Sequence, residues 1–198
     1  MTDPVTTDPA RARPGTAAVP AQGAPGPARR VVLAGIGNEM RHDDGVGPVI
    51  ARRAAGMSST AGSGPVTALA APLNEPLDLL DDWDGDDLAI VVDAVRSGAP
   101  PGTVTLTWLD RLGDVVLPAG CGRASTHGLG VADVFRLACE IGLGPRRVAL
   151  VGVEGQDFSH GEGLSAPVEA GADQAVALVV KLARSAPPGT DQVLGPPS

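Results

Sequence analysis

One stretch constrains this chain more than any other: Val31-Val32-Leu33-Ala34-Gly35-Ile36-Gly37-Asn38-Glu39-Met40-Arg41-His42-Asp43-Asp44-Gly45-Val46-Gly47-Pro48. It opens on an apolar run rich in β-branched residues, which reads as a strand buried on both faces. Glycines at 35, 37, 45 and 47 then allow a tight loop, and Pro48 suits the first turn of a helix. A buried strand, a glycine-rich turn and a helix in that order are the opening of a βαβ unit. In such sheets ligands bind in the crevice outside the carboxyl ends of the strands. Asp43 and Asp44 therefore stand where chemistry is usually found.

The remaining pattern continues the alternation. Val46, Val49, Ile50 and Ala54 recur at helical spacing, predicting a helix that ends near Gly56. Pro65–Ala70 reads as a second strand, and Asn74 as the cap of a short helix through Leu77, Leu79 and Leu80. Leu88–Val92 is a third strand ending in Asp93, and residues 102–109 alternate with period two, as a strand near an edge does. The run Asp81-Asp82-Trp83-Asp84-Gly85-Asp86-Asp87 lacks the alternating ligands of a calcium loop and reads as a solvated turn. His127 starts a helix carrying Val131, Val134, Phe135, Ala138 and Ile141 on one face. Arg147–Val153 is the last strand, and Ser165 caps a final helix with Pro167 in its first turn. Strands alternating with helices imply right-handed crossovers and mostly parallel pairing. The expected fold is a three-layer α/β/α sandwich of about five strands, formed by a single α/β domain over residues 30–186. Residues 1–29 and 187–198, dense in Pro, Ala and Gly, are expected to be a disordered arm and a flexible tail.

Composition narrows the function. The net charge of -8, with no basic stripe and no aromatic stacking platform, argues against nucleic acid. Cys121 and Cys139 make no disulfide framework, which fits a reducing cytoplasm, and no run approaches membrane-spanning length. Arg29-Arg30 before the first strand lacks the apolar length and small-residue cleavage site of an export signal. Cys139 reads as core, while nothing near Cys121 argues for an activated thiol. A dinucleotide fingerprint begins at Gly35-Ile36-Gly37 but fails at Met40, and the second strand supplies no acid for a ribose.

Three polar residues fall at equivalent places in this architecture. Asp44 follows the first strand, Asp93 ends the third, and His127 begins a helix behind a glycine-containing loop. Close carboxylates repel each other, and a cation relieves that repulsion. A histidine at a helix N-terminus is biased toward neutral imidazole, the form a metal takes. Each residue also fits a plain role: Asp93 as the cap of a turn, His127 bonded to backbone, Asp43-Asp44 as a solvated turn. His42 and His160 read as loop histidines.

Gly35-Ile36-Gly37-Asn38, Asp43-Asp44-Gly45-Val46-Gly47, Val91-Val92-Asp93-Ala94 and Ser125-Thr126-His127-Gly128-Leu129, in that order, resemble the hydrogenase maturation proteases of peptidase family M52. Val151-Gly152-Val153-Glu154 and Gly163-Leu164-Ser165 look like the family's closing segments. The resemblance implies an endopeptidase that removes the C-terminal extension of the nickel-iron hydrogenase large-subunit precursor after nickel insertion. It carries the family's metal-binding and catalytic positions onto Asp44, Asp93 and His127, for a divalent metal: nickel presented by the substrate, with Zn or Cd able to occupy the site. Asp44 is one methylene shorter than the Glu common in relatives. The segment Ala70–Pro76 lacks the acid and glycines that many relatives place there. The rival readings are a non-catalytic chaperone for the nickel-loaded precursor and a nucleotide-binding module.

Overall fold

The computed structural model describes residues 31–59, 66–69, 73, 75–83, 88–110 and 130–185. Strands β1 (Val31–Gly35), β2 (Val66–Leu69), β3 (Leu88–Val95), β4 (Val104–Asp110) and β5 (Arg147–Glu154) alternate with helices α1 (Val46–Ser59), α2 (Leu79–Asp82), α3 (Val131–Glu140) and α4 (Ala166–Ser185). The strands form one mixed sheet in the order β2-β1-β3-β5-β4. β1 pairs in parallel with β2 and β3, and β3 with β5, while β4 runs antiparallel to β5 at the edge.

The apolar runs of β1 and β3 are continuous because both their faces are covered. Val31, Leu33, Ile90 and Val92 turn toward α1 and α4, whereas Val32, Ala34, Ala89 and Val91 turn toward α2 and α3. α4 presents Val168, Ala172, Ala175, Val176, Val179 and Ala183 as one stripe at helical spacing. Phe135 of α3 meets Trp83 edge-on, ring centroids 6.3 Å apart and planes at 88°. Each such fully buried large side chain contributes on the order of 1.5–3 kcal/mol by leaving water. At the edge the sheet is less covered: Leu106 and Trp108 of β4 stay partly exposed, and the Arg147 guanidinium lies over the Trp108 ring at 4.5 Å.

Several local expectations change. α1 passes through Gly56 to Ser59; Gly56 is exposed and nothing lies near its missing Cβ, so it costs only about 1 kcal/mol of helix propensity. The turn before α2 is capped by Glu75, which forms a reciprocal capping box with Asp78; Asn74, expected in that role, lies outside the described residues. The acidic run is not wholly a solvated turn. Its Trp83 is buried against Phe135, because α2 ends there and drops the indole into the core, while residues 84–87 lie outside the described residues. The arm, the tail, Cys121 and His127 also lie outside them.

Candidate active site

The carboxyl edge of the sheet is built around the end of β1. The Ile36 N–H donates to Val92 O (2.8 Å) and the Gly37 N–H to Leu73 O (2.9 Å), so the chain stays between its neighbours just past the strand. It then folds into a 3-10 turn, His42–Gly45, that leads straight into α1. Two glycines make this possible. Gly37 has φ 136, and a Cβ there would overlap the Asp44 carbonyl; a Cβ on Gly47 would overlap the carbonyl oxygens of Ile36 and Val92. The first turn of α1 thus sits directly on the ends of β1 and β3.

Asp93 lies inside β3, opposite Gly152 of β5, two residues before the strand's end. Strand parity places it on the face it shares with Ala89 and Val91, the α3 side. Asp93 and Asp44 are both buried. Asp44 accepts the Asn38 N–H at 3.1 Å. Burial pushes the Asp93 carboxyl up to about 7; an Ala94 backbone hydrogen bond opposes this, and the negative charge of Asp44 raises it further. Two acids from separate segments are therefore brought together in a poorly solvated place. His127, the third expected member, lies outside the described residues; among those described, no group of three or more His, Cys, Asp or Glu is arranged for a metal.

Asp43 takes a different course from its neighbour. It is fully buried, and its carboxylate accepts the Gln156 N–H (2.9 Å), the Asp157 N–H (2.8 Å), the Ser165 N–H (2.7 Å) and the Ser165 hydroxyl (2.9 Å). The pair is thus not the solvated turn that remained open from sequence. Ser165 directs its hydroxyl to Asp43, while its carbonyl takes the first bond of α4 from the Glu169 N–H (2.9 Å). His42, at φ 49, holds Gly163 O through Nδ1 at 3.1 Å. Sequence reasoning also passed over Glu154, a buried acid accepting the N–H groups of Ser97 and Gly98 (both 2.8 Å) and so fixing the turn after β3. The signal that could have found Glu154 and Ser165 was their place in the glycine-bearing segments Gly152–Glu154 and Gly163–Ser165, which bond to the site's loops. Beside the 3-10 turn a cleft of about 400 Å³ opens between Met40, His42 and Val49 on one wall and Glu162 and Leu164 on the other.

This arrangement can be set against known proteins. The model of a family described as hydrogenase maturation protease matches residues 74–182, more than half of the chain. The chain belongs to the hydrogenase maturation protease family. The hydrogenase expression/formation protein HupD of Rhizobium leguminosarum bv. viciae is 31% identical to this maturation protease over 162 residues, 81% of this chain and 77% of HupD. HupM of Azotobacter chroococcum mcd 1 is 37% identical over 95 residues, spanning 48% of this chain and only 44% of HupM. Among solved structures, the hydrogenase maturating endopeptidase HybD from E. coli superposes with a TM-score of 0.58 at 25% identity, covering 78% of this chain and 91% of HybD. The family's members are peptide hydrolases, and this maturation protease is one of them by descent. Among its described residues no helix is long and apolar enough to cross a membrane.

Proposed function

We propose that the chain is the endopeptidase that removes the C-terminal extension from a nickel-iron hydrogenase large-subunit precursor once nickel has been inserted, acting in the cytoplasm without membrane or nucleic acid. The observation that carries the reading is the convergence of Asp44 and Asp93, two buried acids close enough that one raises the other, at the carboxyl edge of the sheet in a member of this family. The scaffold is read as a three-layer α/β/α sandwich. His127 is assigned as the third ligand; it precedes by four residues the start of α3, which packs on the face Asp93 shares.

Two neighbouring carboxylates are a donor set that a divalent cation relieves, and an imidazole completes a site with an open position. The nickel is the precursor's own and so belongs to the substrate; zinc or cadmium would occupy the same donors in isolated protein. A divalent ion held there supplies polarisation of the scissile carbonyl or a lowered pKa for water. The chain's own part is placement. Asp93 is held by a central strand and cannot shift, Asp44 is set by the glycine-rich turn, and a cation held by the two carboxylates would require Asp93 to give up its proton. Ala70–Pro76, unlike the matching segment of many relatives, is assigned to recognition of the cognate subunit.

The test is incubation of the protein with nickel-loaded and nickel-free precursor, followed by mass spectrometry of the precursor's C-terminus. A discrete C-terminal mass loss only with the nickel-loaded form is expected. Binding of the loaded precursor without any mass loss would refute the endopeptidase reading in favour of a chaperone.

A further inference from the structure

We infer that Asp43, the acid beside the assigned ligand Asp44, is a positioning residue: it ties the 3-10 turn to the segment Gln156–Ser165, and that segment thereby sets where the Asp44 carboxylate stands. The inference rests on the function proposed above and adds to it a residue and a segment outside the ligand set.

The geometry is specific. Four donors converge on the Asp43 carboxylate, three on Oδ2 and one on Oδ1, all from residues more than 110 positions away in sequence. Backbone straps run alongside: His42 N–H to Gly161 O (2.8 Å), Gly161 N–H to Met40 O (2.9 Å) and Asp43 N–H to Asp157 O (3.0 Å). The Arg41 guanidinium adds a bond to Phe158 O at 3.3 Å. The turn has four residues, His42–Gly45, with about 3 residues per turn, so consecutive side chains diverge by roughly 120°. When Asp43 points into the 156–165 segment, Asp44 is turned away from it, toward the Asn38 N–H. A shift of the anchor therefore rotates Asp44.

Only a carboxylate satisfies the anchor. All four groups facing it are donors, and a carboxylate has none of its own to oppose them. An asparagine in its place would set its NH2 against at least one N–H. The site also lies at the start of the 20-residue α4, whose dipole favours a negative charge there. Ser165, which ends the Gly163-Leu164-Ser165 motif, supplies two of the four bonds.

The experiment compares the full-length wild type with Asp43→Asn and Ser165→Ala, well below their melting temperatures. Each is measured for kcat and KM on nickel-loaded precursor and for zinc affinity by calorimetry. Misplacing Asp44 should lower kcat of Asp43→Asn by roughly 10- to 100-fold and weaken zinc binding, with KM within about twofold. Ser165→Ala alters no charge and removes one bond, so a smaller fall of about 2- to 5-fold in kcat is expected, and it cannot be Coulombic. If both variants keep wild-type kcat and zinc affinity and lose only melting temperature, Asp43 is purely structural and the inference is overturned. Should Asp43→Asn fail to fold, the Ser165→Ala arm decides alone by the same criteria. A wild type that neither binds zinc nor processes precursor overturns the proposed function and this inference together; normal wild-type activity beside unchanged variants overturns this inference alone.

Discussion

Replacing Asp93 by Asn should make the protein more stable at pH 8 and inactive at every pH. In the folded chain the Asp93 carboxyl is pushed up to about 7, chiefly by burial and further by Asp44, against 3.8 for an unperturbed aspartate. Between those values the unfolded chain has released a proton that the folded chain keeps, so wild-type stability falls as pH rises through that window and levels off above it. The gap is roughly 3 pH units, about 4 kcal/mol at 1.36 kcal/mol per unit, and is an upper bound because the ionised site can relax or admit water. Asn keeps the size, keeps an acceptor for the Ala94 N–H and removes the titration. At pH 5, already about 1 pH unit into that window, the wild type has lost roughly 1.6 kcal/mol. The variant's loss of one hydrogen bond, about 1 kcal/mol, largely offsets this, so the two proteins should lie within about 1 kcal/mol of each other. By pH 8 the variant should lead by about 2–4 kcal/mol. Urea unfolding at pH 5, 6, 7 and 8 in the presence of a chelator measures the difference directly, with the other titrating groups cancelling between the two proteins. A wild-type-to-variant difference that does not change with pH would refute the reasoning, since it would mean that burial does not hold the Asp93 carboxyl protonated above the usual aspartate range. Gained stability with lost precursor processing is the expected signature of a charge retained for function at a cost to the fold.

Other outcomes follow from the same geometry. Phe135→Ala empties a buried ring site against Trp83 and should cost about 3–5 kcal/mol, read as a lowered urea midpoint with little change in slope. Gly47→Ala forces a methyl onto the Ile36 and Val92 carbonyls; a cost of more than about 2 kcal/mol is expected, together with lost activity because the turn carrying Asp44 must lift away. On the proposed site, calorimetry should show Zn, Ni or Cd binding in preference to Mg, since an imidazole suits borderline ions and hard Mg uses it poorly; zinc binding that survives unchanged in His127→Ala would remove His127 from the site.

The sequence made some of this legible and concealed the rest for identifiable reasons. β1 and β3 were readable because a strand buried on both faces must be apolar throughout, and β4 because its residues alternate in sequence, although Leu106 and Trp108 of the apolar set stay exposed and its buried residue is Leu109 on the other face. Val104, Leu106 and Trp108 mark that alternation, but nothing in it distinguishes the antiparallel course the strand takes. Trp83 was masked by its neighbours: five acids surround it in the run 81–87, and only the packing of α3 shows that the indole turns inward. Asp44 and Asp93 could be picked out by their place in the loop after β1 and near the end of β3, since parallel topology sends those ends to one edge. Asp43 was hidden for the opposite reason. Its meaning lies in a segment more than 110 residues away, and no local spacing reports a hydrogen bond of that range. Adjacent acids in a glycine-rich loop look alike on the page, yet a tight turn must send them in different directions. On the proposed site, Asp44 can face Asp93 only because Asp43 is committed to holding the turn. On the proposed assignment, that division of labour makes the pair, rather than Asp44 alone, the unit on which the site depends.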